Sequence, residues 1–351
     1  MIKEDFDLCI VGAGTLGVLT ALHALENNSE IRIALLDARM AGQGTTFVSS
    51  AMLLGFAFDD FTRKLTSESA HFYEKMKTEL PHIFNSFPFY WVESKKNTSL
   101  KKLNIYSLVE INKDEVYGLP LGFTKDNYNK YYQMTGYRID LKAFHDVLLK
   151  KFLTYKNSYL LEGAPVNSAS YECERIALST PIGIIKTKKC VVSLGPWILN
   201  SPFKTKEISE KIRIKKIVSF HLSPHLNEQI EAGIGFIDNQ VFLAPNPSKK
   251  QWIMSLTSED WDVSPEHGSF VLSNNDIQIY NSVIKDVGLK DVKPIGASVF
   301  ADAYSDDFLP MYDLPETYEG NLIICTGTSG YGIKIGPALA KIALEEIGVL
   351  S

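Results

Sequence analysis

"FDLCIVGAGTLG", residues 6–17, is the stretch that decides the fold class of this chain. An apolar run typical of a strand precedes the glycines, and residues 18–25 continue with helical periodicity. The G-x-G-x-x-G spacing gives a tight turn and lets a pyrophosphate approach the backbone at the helix N-terminus, where N–H groups favour an anion. The stretch therefore predicts a dinucleotide site formed by Gly12, Ala13, Gly14, Thr15, Leu16 and Gly17.

A second predicted strand, residues 31–36, ends in an acid. Asp37 follows Gly17 by about 20 residues, the offset expected for a carboxylate that hydrogen-bonds a ribose hydroxyl. Ala38 and Arg39 follow at the same place. Arg39 would suit a phosphate on the ribose, but Asp37 would repel one. The alternative is a strand–helix turn that holds no ligand.

Composition excludes several classes of protein. The 351 residues include 45% hydrophobic and 22% charged residues, and the net charge is −5. Nothing in this balance indicates a nucleic-acid surface. No apolar run approaches the ~20 residues that span a bilayer. The N-terminal residues enter the first strand almost at once, so we expect no signal peptide.

The four cysteines are Cys9, Cys173, Cys190 and Cys325. All lie in apolar, strand-like runs and none forms a C-x-x-C motif. We therefore expect buried thiols in a reducing cytoplasm rather than a metal site. No metal-ligand or Ser–His–Asp spacing stands out elsewhere.

Helical spacing and strand-like runs alternate along the rest of the chain. Helices are predicted at 65–80, 137–153 (with an N-terminal turn capped by Asp140), 275–287 and 337–347, and strand-rich segments at 89–132, 159–192 and 216–256. The two kinds of segment interleave, which indicates that each domain is built from separate parts of the chain.

A second glycine turn, "NLIICTGTSGYGIKIGP", occupies residues 321–337 between a predicted strand and a helix. Its N–H groups can stabilise negative charge on another part of the ligand. A nicotinamide dehydrogenase has no need of such a site, whereas a reduced flavin carries negative charge on its pyrimidine ring. This turn predicts FAD, contacted by Gly327, Ser329, Gly330, Tyr331, Gly332, Ile333 and Lys334.

Four stretches together resemble the FAD-dependent amino-acid and amine oxidases, the group of D-amino-acid oxidase, glycine oxidase and sarcosine oxidase, with glycine oxidases the most similar. They are "VGAGTLG" with Asp37 where the family usually has Glu, "GTTFVSSAMLL" with Ala51 where it usually has Gly, "GAPVNSASYE" with "KKCVVSLGPW", and "SDDFLPMYD" followed by the second glycine turn. Their order covers nearly the whole chain.

The resemblance implies further cofactor contacts and the fold. The implied contacts are Gly44, Thr45, Thr46, Ser50, Ala51, Met52, Val166 near the adenine, Ser193, Gly195 and Trp197. The fold is α/β, with a Rossmann-like FAD-binding domain (1–85, 138–215 and 291–351) and an interleaved antiparallel-sheet substrate domain (86–137 and 216–290). Non-covalent FAD is expected, because "SDDFLPMYD" lacks the cysteine to which some relatives attach flavin.

Two positions bear on the substrate. Lys334 falls where sarcosine oxidases carry a lysine that contacts the substrate carboxylate, so the resemblance implies a catalytic and substrate-binding role; the alternative is a surface lysine. Many relatives also place an arginine shortly before the D-x-x-P signature, and "GASVFADAYSDDFLP" has none. This departure puts a simple α-amino acid substrate in doubt. Tyr304 and Trp252 are candidates for a flavin-facing pocket.

The resemblance implies oxidation of a C–N bond in a small-molecule amino acid or amine to an imine by hydride transfer to flavin. Three other interpretations remain. The chain is an oxidase of a modified, cyclic or carrier-tethered amine in a biosynthetic pathway, a nicotinamide dehydrogenase, or a flavoprotein subunit that serves a partner and has no substrate of its own.

Overall fold

The computed structural model describes residues 2–57, 59–93, 108–120, 122–224, 230–237, 241–266, 270–289 and 292–350. Within these ranges the helices are α1 (Thr15–Asn27), α2 (Asp60–Glu79), α3 (Leu141–Leu153), α4 (Lys206–Lys211), α5 (Asn274–Asp286) and α6 (Gly332–Glu346). The strands are β1 (Ile2–Val11), β2 (Ile33–Leu36), β3 (Met52–Leu53), β4 (Phe84–Glu93), β5 (Val109–Ile111), β6 (Lys130–Ile139), β7 (Ser158–Leu161), β8 (Ser168–Glu172), β9 (Arg175–Thr180), β10 (Gly183–Val192), β11 (Ile212–Leu222), β12 (Gly233–Phe236), β13 (Val241–Asn246), β14 (Gln251–Trp261), β15 (Pro294–Ser305), β16 (Met311–Asp313) and β17 (Leu322–Thr326).

The first sheet has the order β16-β17-β10-β1-β2-β7, and β9 joins β10 to β8. Its centre is parallel: β1 lies between β10 and β2, β10 pairs with β17, and β2 pairs with β7. Leu8 and Ile10 pack under the helices, while Cys9 and Val11 pack on the opposite face. Burial on both faces explains why the end of β1, from Leu8 to Val11, is a continuous apolar run.

The second sheet has the order β15-β11-β14-β13-β12-β4-β6-β3, with β5 beside β6. All its pairs are antiparallel except β12 with β4. Helix α5 covers one face, where Tyr280 packs on Phe220 with ring centroids 4.7 Å apart. The two mixed sheets confirm the predicted α/β class.

The boundaries of several predicted helices are wrong. Helix α2 begins at Asp60 rather than 65, because the Asp59 side chain caps it by accepting the Thr62 N–H at 2.6 Å. Asp140 caps α3 as predicted, but residues 137–139 belong to β6. Helix α6 begins at Gly332 and contains Pro337 in its interior, where the sequence pattern had placed its start.

Cys9, Cys190 and Cys325 are buried, as expected, but Cys173 is exposed. The expectation fails for Cys173 because it lies in the two-residue turn that joins β8 to β9. Both turn residues have positive φ, 51° at Cys173 and 59° at Glu174. This is the backbone twist that two-residue hairpins favour, and it directs the side chains at the tip toward solvent.

The ranges of the two domains remain a prediction. Sheet membership does not follow them everywhere, since β3 and β15 come from ranges assigned to the FAD-binding domain but pair within the second sheet. None of the described helices is long and apolar enough to cross a membrane.

Candidate functional site

A cavity of about 1030 Å³ brings the two glycine turns together with the second sheet. Its wall includes the turn after β1, the loop before β3, the segment after β10 and the turn before α6. These segments come from opposite ends of the chain, and the parallel order β17-β10-β1 places them at one edge of the first sheet.

The three glycines of the first turn have different roles. Gly12 has φ +106°, and a Cβ there would lie 2.4 Å from the Ser193 carbonyl oxygen. A Cβ on Gly17 would lie 1.9 Å from the Gly12 carbonyl oxygen. A Cβ on Gly14 would meet nothing closer than Thr46 Oγ1 at 3.4 Å. Gly12 and Gly17 are therefore required by packing, whereas Gly14 leaves space on the cavity side.

Helix α1 has Gly14 as its N-cap, with no side-chain cap and no acidic residue in its first turn. Thr46 Oγ1 accepts the Thr15 N–H at 3.2 Å. Gly14, Thr15 and Leu16 line the cavity, while Ala13 and Gly17 lie behind its wall. A helix N-terminus open in this way suits a phosphate group.

Asp37 lines the cavity and fixes the first turn. Its Oδ2 accepts the Ala13 N–H at 2.9 Å, and its Oδ1 accepts the Arg39 N–H at 2.8 Å. Burial raises the pKa of Asp37, which these two hydrogen bonds partly offset. Ala38 and Arg39 also line the cavity. The Arg39 guanidinium lies 5.4 Å from the Trp197 ring centroid and 3.7 Å from the Glu266 carboxylate.

The loop between β2 and β3 contributes Gly44, Thr45, Thr46 and Ser50 to the cavity wall, and Met52 lines it from the start of β3. Ala51 does not reach it. The residue is buried with φ +59°, and its N–H donates to Ser49 Oγ at 3.2 Å. Ala51 is therefore a turn residue in the left-handed region rather than part of the wall, and glycine would adopt its conformation without a steric penalty.

The segment after β10 reaches the cavity as expected. Ser193, Gly195 and Trp197 line the cavity. Val166, in the connection between β7 and β8, lines it as well. The Ser193 hydroxyl donates to the Gly12 carbonyl at 3.1 Å, which joins this segment to the first turn.

All seven residues predicted in the second glycine turn line the cavity, from Gly327 to Lys334. Gly327 and Gly330 have φ of +61° and +84°, and Ser329 also lies in the left-handed region at +49°. Helix α6 has Tyr331 as its N-cap without a side-chain cap. The turn thus presents a second helix N-terminus to the same cavity.

Lys334 is not a surface lysine. Its ammonium donates to the Phe56 carbonyl at 3.3 Å and lies 4.6 Å from the Tyr331 ring centroid. Among the residues that the structure describes, no carboxylate pairs with it. Burial lowers the pKa of Lys334 to about 8, so the charge is retained at neutral pH.

The two aromatic candidates, Tyr304 and Trp252, lie in different parts of the structure. Tyr304 lines the cavity, and its ring packs edge-on against Trp261 with centroids 5.6 Å apart. Trp252 is fully buried in the core cluster that contains Phe220 and Tyr280, and it does not line the cavity. The expectation for Trp252 is wrong because side chains alternate along β14, and this one faces the helix-covered side.

Asp302 on β15 and Lys215 on β11 are among the charged residues that line the cavity and that sequence reasoning did not single out. The Asp302 carboxylate accepts the N–H of Ala303 at 2.9 Å and interacts with the N–H of Gly330. Burial raises the pKa of Asp302 to about 6. In the sequence both residues alternate with apolar residues, which indicates that they lie on one face of a strand. The strand pairing is needed to show that this face lines the cavity.

No cluster of three or more potential metal ligands occurs in the part of the chain that the structure describes. Residues 7–346 match the family model described as FAD dependent oxidoreductase. The chain belongs to this FAD-dependent oxidoreductase family. No curated protein matches it significantly.

Several solved structures share the fold of this FAD-dependent oxidoreductase. L-proline dehydrogenase from P. horikoshii has a TM-score of 0.84 at 17% identity, covering 99% of this chain and 94% of that one. NikD, described as an unusual amino acid oxidase essential for nikkomycin biosynthesis, has 0.75 at 15%, covering 98% and 94%. Glycine oxidase from Geobacillus kaustophilus has 0.75 at 12%, covering 99% and 95%.

The cavity residues fit the FAD that the family implies. The space beside Gly14 and the open N-terminus of α1 suit the pyrophosphate, and Asp37 suits a ribose hydroxyl. The N-terminus of α6 lies in the same cavity and would face negative charge elsewhere on the cofactor.

Proposed function

We propose that this oxidoreductase oxidises the C–N bond of an amino acid or amine to an imine. When bound, FAD supplies the hydride acceptor for this reaction. The observation that carries the proposal is the position of Lys334, a half-buried lysine with no carboxylate partner among the described residues, on the first turn of α6 in the cofactor cavity. It would attract a substrate carboxylate and balance negative charge that develops beside α6.

The aromatic walls support the same reaction. Phe56 and Trp91 lie with ring centroids 4.5 Å apart and line the cavity, together with Phe242. An apolar wall excludes water and favours a neutral amine over an ammonium, which is the form that loses a hydride. The proline dehydrogenase and the glycine oxidase are named for activity on amino acids, which supports this class of substrate.

FAD held without a covalent bond is part of the proposal. Cys325 is the cavity cysteine in the described part of the chain, and burial raises the pKa of its thiol to about 12. A thiol that stays protonated is a poor nucleophile toward the flavin. The buried, unpaired thiols Cys9 and Cys190 also support a reducing compartment such as the cytoplasm.

The second candidate is an oxidase of a modified or cyclic amine in a biosynthetic pathway. The observation in its favour is Asp302, which places a carboxylate in the cavity within a stretch of β15 that has no arginine. The description of NikD agrees with such a role. A carrier protein or a partner subunit remains open under this candidate.

Anaerobic flavin bleaching tests the proposed function. The purified protein is loaded with FAD and mixed without oxygen with primary and secondary amino acids, cyclic amino acids and amines that lack a carboxylate. We expect some of these amines to bleach the flavin and to yield the imine or its hydrolysis product. If no amine bleaches a flavin that dithionite reduces readily, the proposal fails and a flavoprotein subunit without a substrate is favoured.

A further inference from the structure

Strand β11 carries three cations, two of which are neutralised by carboxylates. Arg213 forms a bidentate salt bridge with Asp262, with N–O distances of 2.9 and 2.7 Å. Lys216 pairs with Asp260 at 3.0 Å and with Asp276 at 2.6 Å. The third, between them in sequence, is Lys215.

Lys215 is only 5% exposed, yet it has no carboxylate partner and donates no hydrogen bond in the described part of the chain. Its ammonium lies 4.6 Å from the Trp261 ring centroid and 5.3 Å from that of Tyr304. Aromatic faces stabilise a cation, but they offer no acceptor to its three N–H groups. Lysines are rarely buried without a partner, so the protein alone leaves this ammonium incompletely satisfied.

The side chain of Lys215 faces the cavity. Lys215, Ile217 and Ser219 alternate along β11 and all three line the cavity wall. Lys216 lies on the opposite face, where it reaches α5. The unsatisfied ammonium is therefore accessible to a ligand in the cavity.

Asp302 is directly opposite Lys215 in the antiparallel pairing of β11 with β15. The two charges nevertheless form no ion pair. The Asp302 carboxylate is occupied by the N–H groups of Ala303 and Gly330, in the direction of the second glycine turn. The nearest carboxylate on the sheet thus leaves Lys215 free for an anion from outside the protein.

We propose that Lys215 forms an anion subsite of its own in the cavity, in addition to Lys334, and that a substrate carboxylate binds this ammonium next to Trp261 and Tyr304. This inference rests on the proposed function and sharpens it, because it assigns the substrate to amines that carry a free carboxylate. Lys334 already has the Phe56 carbonyl as an acceptor. Lys215 has none, so a carboxylate gains more by reaching it.

Binding of simple carboxylates to the FAD-loaded protein tests the subsite without requiring turnover. Acetate, propionate and benzoate are titrated against the flavin spectrum, and acetamide, propionamide and benzamide serve as neutral matches. In wild type we expect the acids to bind and the amides to bind weakly. In Lys215→Met the affinity for the acids should fall by about tenfold or more, because an ionic hydrogen bond is lost, while amide binding stays unchanged.

Two further variants keep the test decisive. Lys215→Gln removes the charge but keeps a polar end, and it should show the same loss if the methionine variant folds poorly. Lys186→Met removes an exposed charge from β10, away from the cavity, and should bind acids as wild type does.

Unchanged acid affinity in both Lys215 variants would overturn the subsite. A fall in FAD affinity with unchanged acid affinity would also overturn it and assign Lys215 to the cofactor. If the acids lose affinity as expected but no amine bleaches the flavin, the anion subsite stands and the proposed amine oxidation fails.

Discussion

The hydroxyl of Tyr73 on α2 donates a hydrogen bond to the Ile333 carbonyl on α6. Pro337 lies four residues after Ile333 and has no N–H, so α6 cannot satisfy this carbonyl itself. Ser69 on α2 makes a second contact with α6, in which its hydroxyl oxygen accepts the Ala338 N–H at 3.1 Å. Helix α2 therefore completes the hydrogen bonding of α6 next to Lys334.

Tyr73→Phe should lower the free energy of unfolding by about 1–3 kcal/mol, because it leaves the buried carbonyl of Ile333 without its partner. Chemical denaturation of the FAD-loaded protein measures the change. Tyr159→Phe is a matched control, since its hydroxyl makes no hydrogen bond with the described residues and its loss should change stability little. Equal stability of wild type and Tyr73→Phe would show that water replaces the hydroxyl.

Gly14→Val should fold but fail to retain FAD. Its backbone has φ −73° and ψ −178°, which valine adopts, and the new side chain would fill the space beside the N-terminus of α1. Gly17→Ala is the contrasting variant, because its methyl group would meet the Gly12 carbonyl and disturb the fold itself. Circular dichroism detects loss of the fold, and the flavin-to-protein absorbance ratio detects loss of FAD. If Gly14→Val purified with its flavin, the pyrophosphate would have to bind elsewhere.

Lys334→Met should retain FAD and slow its reduction by substrate by about tenfold or more, since an ionic contact at the reacting centre is lost. Rapid-mixing absorbance measures the rate. The pKa of Lys334 is lowered to about 8 in the folded protein, so the folded state holds an unfavourable ammonium below that pH. Without FAD, the variant should therefore have a higher free energy of unfolding than wild type at pH 7. This difference should shrink as the pH rises from about 8 toward 10.5. A wild-type reduction rate would contradict the assigned role.

Asp302→Asn should stabilise the FAD-free protein at high pH. Burial raises the pKa of Asp302 to about 6 from 3.8, so the ionised carboxylate disfavours the folded state above about pH 6, and the effect disappears below about pH 4, where both states are protonated. Asparagine keeps an acceptor for Gly330. We expect a gain of about 2 kcal/mol in the free energy of unfolding at pH 8 and a smaller gain at pH 5. A gain that does not vary with pH would mean that Asp302 does not titrate in this range.

Ala51→Gly should raise the free energy of unfolding by about 0.5–1 kcal/mol, because Ala51 holds φ +59° against the steric preference of its Cβ. Thermal unfolding at fixed FAD concentration measures the change. Ala34→Gly in β2 removes the same methyl group from extended backbone and should destabilise instead. A loss of stability in both variants would indicate that packing of the Ala51 methyl outweighs its backbone strain.

Both glycine turns could be predicted from the sequence because their signals are local. The spacing from Gly12 to Gly17 and the turn ending at Lys334 each lie within one strand–turn–helix unit, and Asp37 follows the next strand, β2. In such a unit the chemistry of the turn and the contacts of the ligand depend on the same few residues.

Residues on the second sheet were harder to place, because a strand does not reveal which of its faces meets the cavity. Trp252 and Lys215 lie on neighbouring antiparallel strands whose register shifts at a bulge after Lys215. Register decides which face each side chain occupies, and the position of such an irregularity does not follow from the sequence of either strand. The start of α6 was misplaced for a related reason: the partner that permits helix before Pro337 is Tyr73, about 260 residues away in sequence.

The strand order β17-β10-β1 has a consequence for how the chain folds during synthesis. Strand β1 is made long before its neighbour β10, which ends at Val192, and before β17, which ends at Thr326. Pairing across such separations requires closing long loops, which makes folding slow and leaves early segments unpaired. A ribosome-bound chain that has not released α6 lacks one of the two turns of the cofactor cavity. The cavity that would hold the cofactor is therefore complete only after α6 has been synthesised and has packed against the rest of the fold.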